Sequence, residues 1–109
     1  MPKLSELLKN QVTLVVPYRG TEISITYKPE SVTSARRAEI DKRIDQGEIR
    51  RDEYDAAFLT DALTAWNLTA DDDESLSISF ETCRGLSTGL QMALAGAILD
   101  DQRNPQTGH

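Results

Sequence analysis

The sequence is short of the residues that most chemistry needs. It has one cysteine, Cys83, and one histidine, His109, which is the last residue. A lone cysteine excludes an internal disulfide and fits a reducing compartment. It also excludes a cysteine-based zinc site, because no second thiol is available. A histidine at the very end of a chain is badly placed for general base work, which needs held geometry. We therefore expect no catalytic residues, no metal site and no cofactor, and we read Cys83 as a buried or half-buried thiol without reactivity. Aromatic residues make up only 6% of the chain, with a single tryptophan, Trp66. No apolar run, such as Leu14–Val16 or Met92–Leu99, approaches the length of a membrane span. The N-terminal stretch MPKLSELLKN is too polar for a signal peptide. No glycine-rich phosphate loop is present. A soluble intracellular protein is the expectation.

Positive charge is also in deficit. The formal net charge is −6, so the long-range field repels phosphate backbones. One region is locally basic, with Arg36, Arg37, Lys42, Arg43, Arg50 and Arg51, and a helix-turn-helix over 33–66 can be drawn through it. Acids interleave throughout, and the second helix is acidic and apolar, which makes nucleic acid an unfavoured partner. The run Asp71–Glu74 lacks the alternating ligands and the glycine of a calcium loop, and reads as a solvated acidic turn.

What is present is a set of clear periodicities. At 109 residues, length alone implies a single domain. Residues 1–11 read as an arm or short helix carrying Leu4, Leu7 and Leu8. Val12, Leu14, Val16 and Tyr18 alternate with Thr13, Val15 and Pro17, as Ile23, Ile25 and Tyr27 do with Ser24, Thr26 and Lys28. With Arg19-Gly20 between them, residues 12–28 predict an antiparallel hairpin, and Pro17 places its first strand at a sheet edge. The helical part spans 31–101. Its first helix is capped by Ser31, Thr33 or Ser34 and ends near Gln46, with Gly47 beyond it. The second runs through Trp66: Tyr54, Phe58, Leu59, Ala62, Leu63 and Trp66 recur at steps of three and four. This stretch holds the bulkiest apolar groups, so it is the expected centre of the core, with the indole N–H finding a carbonyl. A polar loop over 67–77 follows. Ile78 and Phe80 belong either to a short extended piece or to the approach to a helix capped by Ser79. A last helix, capped by Ser87, carries Leu90, Ala93, Leu94, Ala97 and Ile98 to about Asp101, and 102–109 reads as a loose tail. The expected fold is α+β: an N-terminal antiparallel β-hairpin packed against three to four α-helices.

The segment VTLVVPYRGTEISITYKPE, followed by a charged helix, resembles the start of the tail assembly chaperones of long-tailed bacteriophages. LTDALTAWNLTADDDESLSISFETCRGLSTGLQMALAGAILDDQRNP resembles their second half: a helix ending in Trp66-Asn67-Leu68, an acidic turn at Asp71–Glu74, then Ile78, Leu86, Leu90 and Ala97-Ile98 before Asn104-Pro105. In the turn the family's usual glycine is replaced by Asp73 or Glu74. The resemblance implies a non-enzymatic assembly factor in the host cytoplasm, absent from the mature virion. It would bind the tape measure protein and help recruit tail tube subunits. An apolar groove between the helices at 54–66 and 88–99 is the expected partner surface, with Tyr54, Phe58, Leu63, Trp66, Leu90, Leu94 and Ile98 as its residues. The edge strand offers a route to a homo-oligomer. The rival readings are a nucleic-acid-binding regulator using the Arg36–Arg51 region and a head–tail connector or tail completion protein.

Overall fold

The hairpin forms where alternation demands it. In the computed structural model, which describes residues 11–103, β1 (Val12–Tyr18) pairs antiparallel with β2 (Thr21–Tyr27). The register sets Val12 opposite Tyr27, Leu14 opposite Ile25 and Val16 opposite Ile23, so the apolar set of both strands shares one face. Arg19 and Gly20 form the two-residue turn, both with positive φ (50° and 79°), the backbone twist that suits a tight hairpin. Pro17, which has no N–H to donate, lies on an edge strand, because the sheet order is β1-β2-β3.

The helices are α1 (Ser34–Asp45), α2 (Tyr54–Ala62), α3 (Phe80–Gly85) and α4 (Thr88–Arg103). Their ends follow capping chemistry. Thr33 accepts the Arg36 N–H, Ser79 that of Thr82 and Ser87 that of Leu90. Gly47 follows α1 with φ +77°, the left-handed conformation that ends many helices. Short 3₁₀ turns cover Pro29–Val32 and Arg51–Glu53. The described residues thus form an α+β fold: a three-stranded antiparallel sheet with four α-helices.

The third strand is a correction to the sequence reading. The helix expected to run through Trp66 stops at Ala62, and Leu63–Trp66 becomes β3, antiparallel to β2. Leu63 lies opposite Tyr27, Ala65 opposite Thr26 and Trp66 opposite Ile25, with an irregularity between Thr26 and Tyr27. Thr64 is therefore the extra residue of a bulge. An unbroken strand would send Leu63 and Trp66 to opposite faces; the bulge brings both to the core side. The indole N–H donates to the Leu76 carbonyl at 2.8 Å, as expected of it.

The core is one cluster centred on α2. Ala56, Ala57, Phe58, Leu59, Ala62 and Leu63 are buried, together with Ile23, Ile25 and Tyr27 from the sheet and Leu94, Ala95 and Ile98 from α4. Four consecutive buried residues make α2 an interior helix, wider in its apolar contact than the stripe read from spacing. Helix α4 lies against β1 and approaches it closely at Gly89, where a Cβ would sit 2.9 Å from the Tyr18 hydroxyl. It also runs slightly longer than expected, to Arg103, so that Gln102 and Arg103 lie in its last turn rather than in a tail. The expected arm at 1–11 lies outside the described residues except for Gln11, as does the remainder of the tail from 104.

The acidic turn is locally strained. Leu68 and Leu76 pair through the backbone, Thr69 bridges Ser75, and Asp73 at the tip has φ +66°. A side chain in this region costs free energy that glycine does not incur. Asp73→Gly should raise stability by about 0.5–1 kcal/mol, read as a higher midpoint in thermal unfolding; a lower midpoint would show that the turn is relaxed as it stands.

Candidate functional site

An open groove of about 570 Å3 lies where the Arg51–Glu53 turn meets the end of α3 and the start of α4. Its apolar surface comes from Leu86, Met92 and Tyr54. Met92 is 60% exposed, one of two large apolar residues in that state among the described residues; the other is Val15 on β1. The walls are polar and held by their own contacts. Arg84 Nη1 lies 3.3 Å from Glu53 Oε2, and its guanidinium also stands over the Phe80 ring. Glu53 further accepts the Arg50 backbone N–H at 2.8 Å. That bond, with Arg84 beside it, holds the Glu53 carboxyl below the usual carboxylate range. Arg50 reaches Asp52 at 2.7 Å on the rim. Gln91 is buried and donates from Nε2 to the Leu86 carbonyl at 2.8 Å and to that of Arg84 at 3.3 Å, tying the α3–α4 turn to the helix behind it. Burial pushes the Tyr54 phenol and the Asp55 carboxyl up.

This arrangement suits the capture of an apolar side chain. A soft thioether and an aromatic ring supply adaptable contact area, and the Arg50–Asp52 pair on the rim remains hydrated. Among the described residues no three His, Cys, Asp or Glu side chains come together as metal ligands, and no helix is long and apolar enough to cross a membrane. Cys83 is fully buried, and burial pushes its thiol up.

The seven expected partner residues do not share one accessible surface. Phe58, Leu63, Leu94 and Ile98 are in the core, because α2 and α4 pack on each other and fill the groove foreseen between them. Leu90 is half-buried against the same cluster. Trp66 is half-buried and lines a different hollow with Thr60, Leu76 and Ile78. Only Tyr54 lines the groove at the mouth of the two helices. Met92 and Leu86 were not among the expected residues. The available signal was phase: Met92 is a large apolar residue off the Leu90–Leu94–Ile98 stripe.

In the basic region, Arg36, Lys42, Arg50 and Arg51 are exposed, while Arg37 and Arg43 are half-buried. Arg43 contacts Glu48 at 3.7 Å. The helix that would have to read a nucleic-acid groove is α2, which carries no Lys or Arg and whose only charged side chains, Asp55 and Asp61, would repel phosphate.

Comparison with protein-family models, with curated proteins and with solved structures finds no match.

Proposed function

We propose that the chain is a tail assembly chaperone of a long-tailed bacteriophage, binding the tape measure protein and helping to recruit tail tube subunits. Its work is recognition of another polypeptide, carried out in the host cytoplasm. The sequence resemblance over the hairpin, the Trp66 region and the last helix suggests the family. The observation that carries the binding role is the exposed Met92, set with Leu86 and Tyr54 in an open groove. A solvent-facing methionine sharing a groove with Leu86 and Tyr54 is a surface that accepts varied apolar side chains, as a binder of a long helical partner requires.

Co-expression with a tape measure fragment tests this. The wild-type chain should keep the fragment soluble and co-elute with it. Met92→Asp should weaken the complex by tenfold or more, roughly the loss of one buried apolar anchor, and leave the thermal midpoint of the free chain unchanged. An insoluble fragment beside a folded chain overturns the chaperone reading. Full binding by Met92→Asp removes the groove from it.

A further inference from the structure

We propose that Leu63–Trp66 is a two-state segment, a bulged edge strand in the closed form and one further turn of α2 in an open form. The two alternatives satisfy the same apolar pattern. Leu63 and Trp66 are three residues apart, the spacing of one helix face. The bulge at Thr64 lets the same pair face the core from a strand. No glycine or proline occurs between Tyr54 and Asn67, so neither helix-breaking residue stands at the end of α2. The helical ladder already reaches across the junction, since the Leu63 N–H donates to the Leu59 carbonyl.

The next acceptor in that ladder is contested. The Ala62 carbonyl takes the Lys28 N–H at 3.0 Å in the closed form; in a helix it takes the N–H of Trp66. Beyond Lys28, the strand is held by contacts that the open form exchanges. Asn67 clamps Ser24 twice: its N–H donates to the Ser24 carbonyl at 3.1 Å, and its Oδ1 accepts the Ser24 N–H at 3.0 Å. Thr64 Oγ1 reaches the Thr26 carbonyl at 3.3 Å. The helical form replaces these with i→i−4 bonds from Thr64, Ala65 and Trp66. Space is available around the segment. Ala65 and Trp66 border two hollows, of about 430 and 220 Å3, and Thr64 and Ala65 are exposed. A four-residue strand at a sheet edge, with a broken register, is the least cooperative part of the sheet. Opening would uncover the backbone edge of β2 at Ser24 and Thr26 and release the indole from Leu76.

The test removes one clamp. Asn67→Ala takes away the acceptor of the Ser24 N–H, a bond worth about tenfold in the closed–open equilibrium. Amide exchange at Ser24 and Lys28 should then quicken about tenfold while the β1–β2 amides keep their protection. The Cα chemical shifts of Leu63–Trp66 should move toward helical values. Asn67→Asp keeps an oxygen facing Ser24 and should behave as wild type. Adding Ala65→Val to Asn67→Ala should reverse the change two- to threefold, because a β-branched residue disfavours the helix. Shifts moving to random-coil values would mean fraying rather than a switch, and unchanged protection at Ser24 and Lys28 would mean a fixed strand; either result overturns the proposal.

Discussion

Phe58→Ala should lower the unfolding free energy by about 3–5 kcal/mol, the largest effect expected of any single truncation in this chain. Phe58 is 1% exposed and lies in the middle of α2, the helix around which the core is arranged. Its helical neighbours Ala56, Ala57 and Ala62 are buried and small. They have no length with which to refill the space that a lost ring leaves, so the cavity persists and the loss falls toward the upper end of that range. A domain of this size has only about 5–15 kcal/mol in total, so the variant should melt tens of degrees lower or fail to fold at physiological temperature. Phe58→Leu keeps most of the volume and should recover more than half of the loss, which makes the comparison measurable by urea unfolding. A loss below about 1 kcal/mol for the alanine variant would contradict the central place of α2.

Stability should also fall steeply above pH 10, and Tyr27 is the reason. The Tyr27 side chain is fully buried; its hydroxyl donates to Asp101 Oδ2 at 2.5 Å and accepts from Gln102 Nε2 at 2.7 Å. Burial, and then the hydrogen bond to the Asp101 carboxylate, push the phenol from 10.0 up to about 12. The native state thus prefers the protonated phenol more strongly than the unfolded chain does. The resulting stabilisation is complete below pH 10 and is lost as pH rises through about 12. A difference of this size corresponds to roughly 2–3 kcal/mol. Urea titrations at pH 8, 10, 11 and 12 should show the decline, and Tyr27→Phe should flatten it. At neutral pH the same substitution should cost about 1.5–3 kcal/mol, because the Asp101 carboxylate loses its donor. The Tyr54 phenol, also raised by burial, contributes a smaller slope of the same sign that survives in Tyr27→Phe. A wild-type chain with no alkaline loss would show that the phenol–carboxylate contact does not persist in solution.

Much of the architecture is legible in the residues because local signals and packing agree. Alternation over Val12–Tyr18 and Thr21–Tyr27, with Gly20 between, specifies a hairpin at every level. Thr33, Ser79 and Ser87 announce helix starts by a chemistry that operates within three residues. The third strand is illegible for a definite reason. Apolar residues three apart fit a helix face and a bulged strand equally well, and the choice is made by Ile25 and Tyr27, nearly forty residues earlier in the chain. The groove is hidden by a related limit. Periodicity picks out residues that pack inward, so it selected Phe58, Leu94 and Ile98 and passed over Met92, which is large, apolar and out of phase. Spacing finds cores well; a partner surface is marked instead by apolar bulk that the core leaves unused.

The contact of Gly89 with Tyr18 sets the separation of helix and sheet in an unusual way. Where α4 nears the end of β1, the spacer is a phenol oxygen, itself 3.4 Å from Ser87 Oγ, rather than interlocked hydrocarbon. A hydroxyl group is thin and directional, so it permits a narrow gap but tolerates little sideways drift. The two layers are therefore aligned at that end by polarity and at the other by the Tyr27–Asp101 latch. A pair of tyrosines on neighbouring strands acts as dowels that locate one slab on the other.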